Sequence, residues 1–319
     1  MKKILFLVLV LILSGLIIPC KSYSIETNTK INSDHNKFCP NCGVKIIPGH
    51  GFCSECGYNL TKSFSSPSIK MHTLTLGLKY YHYDYREIVE PPFKSTENGW
   101  LPGIFIDYSF QGIKFPIYFR LTGEYTYGNT KYDGSTQSGE PLTGETGNSL
   151  INFSTHFGFV LRIVNNTFYI NPYSGIGYHF WHRGGLDEGF YGEDYSWCYV
   201  PVGIRPVFRI TDRFTFAMDV SARFMFKGKI KVFLTDLSPD FNEPEGTLGN
   251  ETGFKIESSV SYIFKSNIGI SFTPWYEYSA IGESDIFELT YQGVLWGYGY
   301  EPSSKTDQYG LDIGFLLYF

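Results

Sequence analysis

A mainly-β, antiparallel transmembrane barrel of about ten strands, preceded by a small cysteine-rich module, is what the 319 residues predict. The first observation is compositional: aromatic residues make 18% of the chain and charged residues also 18%, against about 25% charged in ordinary soluble domains. Mean hydropathy is nevertheless −0.12, and no apolar run of about 20 residues follows the first twenty positions, which rules out a helical membrane bundle. The second is that from His72 onward apolar side chains recur at every second position, the period of a strand with one apolar face. The third is that the connections between these stretches alternate between tight and long, the layout of membrane barrels. A net charge of −5 with no basic block argues against a nucleic-acid partner.

Residues 1–24 have the form of a secretory signal peptide: Lys2 and Lys3, an apolar stretch from Ile4 to Ile18, then Ser22 and Ser24 where a peptidase could cut. An uncleaved anchor is the alternative. Lipidation at Cys20 would want a small residue where Pro19 stands. Cleavage removes Lys2, Lys3 and Lys21 and no acid, taking the net charge from −5 to −8.

Four of the six cysteines stand as Cys39-Pro40-Asn41-Cys42-Gly43 and Cys53-Ser54-Glu55-Cys56-Gly57, a CxxC-x10-CxxC pattern. Each CxxCG turn can aim two thiolates at one point, with Gly43 and Gly57 supplying positive φ. Two such turns complete a tetrahedral sulfur site with bonds of about 2.3 Å. In an oxidising compartment the same thiols could instead form two disulfides. The stretch resembles the short double-zinc-ribbon type of zinc ribbon, whose CPxCG opening and CxxCGxxL close are matched by Cys39 to Gly43 and Cys53 to Leu60. The resemblance implies a ribbon over 37–60 with Cys39, Cys42, Cys53 and Cys56 as ligands of Zn2+. Four sulfur ligands leave no open position for water, so the zinc would be structural. His35 and His50 lie outside the pattern. The Ser-rich residues 61–71 read as a linker.

Residues 72–319 carry the barrel. Ten candidate strands follow in order: Leu74 to Tyr80, Trp100 to Tyr108, Phe115 to Leu121, Phe153 to Ile163, Phe168 to Tyr178, Val200 to Phe208, Phe214 to Val220, Phe254 to Tyr262, Ile268 to Tyr276 and Tyr309 to Phe319. These apolar positions mark the middles of strands that, with their flanking residues, run to about 10 to 15, longer than globular strands and suited to a tilted crossing of a bilayer. Tight turns are expected near 111–114, 165–167, 211–213 and 265–267, and long loops at 87–99, 128–148, 183–194, 230–250 and 282–305. Tyr80, Tyr81, Tyr83, Tyr85, Tyr125, Tyr127, Trp181, Tyr195, Trp197, Tyr199, Trp275, Tyr276 and Tyr278 bunch where strands meet long loops, the position of an interfacial girdle. The opposite strand faces hold six acids (Asp107, Glu124, Asp219, Glu257, Glu277, Asp312) and seven bases (Lys79, Arg120, Arg162, Arg205, Arg209, Arg223, Lys255). In a narrow lumen such groups must pair, so an ion-pair network that plugs the barrel is expected. Cys198 falls on an outward face.

The terminal Gly310 to Phe319, GLDIGFLLYF, resembles the closing strand of Gram-negative outer-membrane barrels. That resemblance implies outer-membrane lipid and the barrel-assembly machinery as partners, with the cysteine module in the periplasm. The expected role is structural or surface-binding, with an unknown surface ligand. Two alternatives are small-solute transport and proteolysis. Ten is also the strand number of the omptin outer-membrane proteases, which use paired carboxylates and an Asp-His dyad at the outer rim. Glu124, His156, His179, Glu257 and Glu277 are the residues that could converge there, although no Asp-x-His or Asp-x-Asp pair stands at a strand end. A lipid deacylase would need a Ser-His pair at the lipid-facing edge, and Ser154 with His156 shares one strand face only by spacing.

Overall fold

The computed structural model describes residues 39, 42, 44, 45, 52–57 and 71–319, except 113, 114, 137, 165, 166, 187, 188 and 266. The expected signal peptide, His35, His50, Gly43 and the linker up to residue 70 lie outside the described residues. The chain divides into two compact units, Met1–Ser65 and Ser66–Phe319.

In the first unit, the Cys39 amide donates to the Val44 carbonyl at 2.6 Å and the Gly57 amide to the Cys53 carbonyl at 2.9 Å, closing the two knuckles. Gly57 sits at φ +67°, a left-handed conformation that glycine adopts without the cost a Cβ would impose.

In the second unit, alternation drives long strands: β1 (His72–Glu87), β2 (Ser95–Gln111), β3 (Ile117–Ser135), β4 (Pro141–Phe159), β5 (Leu161–Val164), β6 (Phe168–Gly185), β7 (Gly192–Arg209), β8 (Phe214–Phe233), β9 (Glu245–Gly249), β10 (Thr252–Lys265), β11 (Ile268–Ser284), β12 (Phe287–Tyr291), β13 (Val294–Gly299) and β14 (Ser304–Tyr318). Twelve of them form one sheet, and β12 and β13 form a separate hairpin. β5 continues β4 past Val160, whose amide turns to the Pro116 carbonyl, and β9 is a branch between β8 and β11. Twelve strands thus make ten staves. Each pairs antiparallel with its neighbours, β14 with β1 and β8 with β10, so the sheet closes on itself. Closure removes every edge from the barrel wall.

The outer face is an exposed apolar band: Leu76, Leu78, Ile104, Phe157, Phe272 and Ile313 all stand clear of the protein. On β3 it runs from Ile117 to Tyr127, about 25 Å of height once strand rise and tilt are allowed for. Beyond it outward side chains turn polar (Asp84 and Arg86 on β1, Lys131 and Asp133 on β3, Lys305 and Asp307 on β14) while the strands continue. This corrects the expected loops. The 128–148 loop shrinks to 136–140 and the 87–99 loop to 88–94, because polar outward positions hid strand that pairs in unbroken register from Tyr127 and Ser149 up to Ser135 and Pro141.

The aromatic girdle is also corrected. Tyr80, Tyr125 and Tyr127 face outward, but Tyr81, Tyr83, Tyr85, Trp181, Tyr195, Tyr199 and Trp275 are buried inside the barrel. Neighbouring residues on a strand point to opposite faces, so a run such as Tyr80-Tyr81 splits between lipid side and lumen. All of these inward rings except Tyr199 join Leu101, Leu150, Met225 and Ile230 in a hydrophobic layer toward the long-loop end. A second layer, built on Tyr118, Tyr169, Tyr173 and Val207, lies toward the tight turns. Paired Gly77 and Gly314 let the Phe105 ring lie flat on the lumen wall, since a Cβ on Gly77 would stand 2.4 Å from it.

Candidate functional site

The sulfur atoms of Cys39, Cys42, Cys53 and Cys56 all lie within 4.8 Å of one another, a group able to hold a metal ion. Cys39 Sγ is 3.7 Å from Cys56 Sγ, and Cys42 Sγ is 3.6 Å from Cys53 Sγ. A disulfide needs about 2.05 Å. The edge of a tetrahedron with bonds of about 2.3 Å is about 3.8 Å. The donor set fits a tetrathiolate metal site. The Val44 amide lowers the Cys42 pKa, but the thiols of Cys56, Cys53 and Cys39 crowd it and the net effect is a rise to about 12; a cation between the sulfurs would reverse that balance.

In the barrel, the sequence-predicted charges meet between the two aromatic layers. Arg120 of β3 reaches Asp107 at 2.6 Å, Asp219 at 3.0 Å and Glu257 at 3.3 Å. Lys255 reaches Glu257 at 2.8 Å, Glu124 at 3.4 Å and Glu277 at 3.9 Å. Lys79 bonds Glu124 at 3.1 Å and Asp312 at 3.6 Å, with its ammonium 3.9 Å above the Trp275 ring centroid. Arg205 joins Asp219 at 3.4 Å, and Arg223 pairs with Glu277. All six acids take part, with five of the seven bases. Arg162 does not: near the end of β5 it is exposed and donates to the Gly112 carbonyl. Arg209 lies over the Tyr169 ring. Beside Lys79, Glu124 and His179 is a cavity of about 20 Å³, room for one water and far below the ~300 Å³ of a ligand pocket.

The expected protease set comes together only in part. His179, Glu124 and Glu277 line that water-sized cavity, while Glu257 is taken up by Lys255 and Arg120. His156 stacks on Tyr173 with centroids 4.6 Å apart. Ser154 and His156 do touch, Oγ to Nε2 at 3.0 Å, but both are buried in the lumen and Ser154 also meets Thr122 at 2.7 Å, so the pair is not at the lipid-facing edge.

Sequence reasoning missed a second charged cluster nearer the long loops. Arg183 of β6 pairs with Glu97, with Glu193 at 2.7 Å and with Glu87 at 3.7 Å. Tyr195 lies 2.7 Å from a fourth carboxylate, Glu301, and Tyr85 lies 3.3 Å from it. Below, the Trp181 indole donates to Asn148 at 2.6 Å, Asn148 to Thr130 at 2.8 Å and Thr130 to Glu97 at 2.9 Å. One guanidinium therefore pairs with three of four buried or nearly buried carboxylates, and the fourth, Glu301, is held by the two tyrosines. Burial, reinforced by Glu193 and Glu87, pushes the Glu301 carboxyl well above the usual range. The available signal was parity: Tyr81-x-Tyr83-x-Tyr85-x-Glu87 and Glu193-x-Tyr195 keep one face in register past the apolar band. Also missed was a cross-strand Asp-His pair, His182 Nδ1 to Asp194 at 2.6 Å, half-exposed on the outer wall.

Residues 32–60 match the zinc-ribbon domain family. No curated protein matches the chain. Among solved structures, the outer membrane protease OmpT from Escherichia coli is similar with a TM-score of 0.54 at 10% identity, covering 79% of this chain and 98% of that one. The outer membrane protein OprG from Pseudomonas aeruginosa aligns at a TM-score of 0.38 and 10% identity, over 78% of this chain and 97% of that one. The likeness to OmpT shows the fold alone. With the closed ring of staves and the cysteine cluster, it makes this chain an outer-membrane-type antiparallel β-barrel with an N-terminal zinc-ribbon region.

Proposed function

We propose that the chain resides in the outer membrane of a Gram-negative envelope as a barrel with a closed lumen, serving as a structural or surface-binding scaffold. The supporting observation is the stack of layers inside it, where Arg120, Lys255 and Lys79 with their carboxylates are sandwiched between aromatic layers. Barrels near eight strands are filled by side chains, and open aqueous channels appear near sixteen. Small-solute transport would need a continuous path, and proteolysis a histidine and carboxylates that water and peptide can both reach.

In this reading outer-membrane lipid covers the apolar band, the tight turns and the ribbon face the periplasm, and the long loops face outward. Gly310 to Phe319 is the segment read by the assembly machinery. Cys39, Cys42, Cys53 and Cys56 hold a structural Zn2+, which would supply folding energy to a module with almost no core. The deciding measurement is conductance of the purified protein in planar bilayers. No steady large current is expected; sustained open-channel currents would refute the closed lumen. Membrane fractionation with a heat-modifiability gel tests location, since a barrel stays with outer membranes and migrates faster unboiled.

A further inference from the structure

The β12–β13 hairpin stands apart from the barrel sheet. Its inner side is anchored, since Phe287 packs on the hydrophobic layer of the lumen and Leu289 is buried. The outer edge of β12 is occupied as well: Asn242 and Asp240 of the preceding long loop bond the backbone of Thr290 and Gln292. The outer edge of β13 pairs with no strand among the described residues. On β13 and just after it Trp296, Tyr298 and Tyr300 are 60%, 64% and 53% exposed, with Trp296 also resting in a T-shaped contact on Phe241, centroids 5.5 Å apart. Gly297, paired with Leu289 on the face opposite Tyr298, carries no side chain, and nothing lies within 4 Å of a Cβ built there. A strand glycine with a bare flank admits another backbone at close range.

The surroundings carry one sign of charge. Residues 234–251 and 282–304, the two long segments that build this surface, hold nine acids and no Lys, Arg or His. Asp236 and Asp285 cap the Gly192 and Thr247 amides, Glu243 pairs with Lys231, and Glu301 is buried. Glu245, Glu251, Glu283 and Glu288 remain exposed, and Glu288 stands directly opposite Tyr298.

We propose that this hairpin is a docking surface for a basic, extended segment of another protein, which aligns along β13 and places lysine or arginine side chains over Trp296 and Tyr298 and against Glu288. Charge complementarity selects the occupant. Ring faces attract cations, the acids add a field of the same preference, and the free strand edge supplies main-chain donors and acceptors for β-addition. An acidic glycan or an anionic headgroup would meet repulsion from the exposed acids. The proposal rests on the surface-binding reading above, and the test separates the two.

The experiment titrates a fluorescent decalysine peptide against the full-length protein in detergent micelles, with decaglutamate and a neutral Gly-Ser peptide as controls. Binding of decalysine alone is expected, weakening as salt screens the acids. The W296A/Y298A variant should lose about tenfold in affinity and Glu288→Gln a smaller factor, with unchanged heat-modifiability. Gly297→Pro should weaken binding by obstructing the edge, and the W296A/Y298A result stands if that variant misfolds. The proposal is overturned if decalysine does not bind, if W296A/Y298A binds it as tightly as the parent, or if the hairpin variants instead change the oligomeric state, which would make a second copy the occupant. Surface labelling of a cysteine placed at Gly293 on intact cells tests outward orientation separately.

Discussion

Glu301, carried on the segment that follows β13, accepts a hydrogen bond from Tyr195 of β7 at 2.7 Å, inside the mouth of the barrel. The contact ties the hairpin to the lumen, and the Glu301 amide reinforces it by donating to Ser284 Oγ at 2.8 Å.

That carboxyl makes stability depend on pH with a definite sign. Burial and the neighbouring Glu193 and Glu87 raise its folded pKa well above 4.5, so the folded state holds a proton that the unfolded chain releases at about 4.3. The contribution to stability is complete below the unfolded value and is lost as pH rises through the folded one. Glu301→Gln keeps the acceptor for Tyr195 without the charge. Relative to the parent it should gain stability progressively as pH is raised from about 4.5. Urea unfolding in lipid vesicles across that range reads the difference; parallel curves would show that Glu301 is ionised in the fold.

Arg120 gives the largest single-residue prediction. It is the shared partner of Asp107, Asp219 and Glu257. Arg120→Met takes from Asp107 the guanidinium it pairs with and leaves Asp219 with Arg205 and Glu257 with Lys255 alone, and should cost about 3–5 kcal/mol. Combining it with Asp219→Asn should cost less than the two separate losses added together, because both changes act on one network. Denaturant midpoints of the four proteins measure this coupling, and strict additivity would show that the two residues act independently.

The ribbon should be separable from the barrel. Replacing Cys39 and Cys42 by Ser removes half the sulfur set that lies within 4.8 Å. Zinc content should fall from one ion per chain to none, while heat-modifiability of the barrel is retained. If metal-free wild type instead resists thiol-blocking reagent until reduced, the cysteines are disulfide-bonded.

How legible each part was follows from which faces differ in chemistry. Lys79 and Asp312 could be set on one face from sequence because Leu78 and Ile313 beside them are apolar, so hydrophobicity itself alternates; the two strands pair in register at those residues. Arg183 and Glu97 were lost because their outward neighbours, His182 and Asn98, are polar too, and the period-two signal vanishes although the strand does not. Counting parity without regard to polarity would have recovered them. Trp181 and Tyr195 were misplaced for the opposite reason: an aromatic ring suits a membrane interface and a packed lumen equally, and only its register tells which. Arg162 follows the parity yet sits in the short β5, where it is exposed and donates to the Gly112 carbonyl instead of meeting a lumen carboxylate.

The two chemistries of the outer wall predict a sharp position dependence along a single strand. Leu78 and Asp84 are both outward residues of β1, six positions apart, roughly 20 Å along the strand. Leu78 is 69% exposed in the apolar band, and an arginine there would have to sit in hydrocarbon. Leu78→Arg should therefore destabilise the vesicle-embedded barrel by about 2–4 kcal/mol. Asp84→Arg lies past the band among Arg86 and Asp307, where water solvates either charge, and should change stability by under about 0.5 kcal/mol. The comparison needs no assumption about lumen or loops, because neither side chain enters them. Equal small effects at both positions would mean that no bilayer covers Leu78.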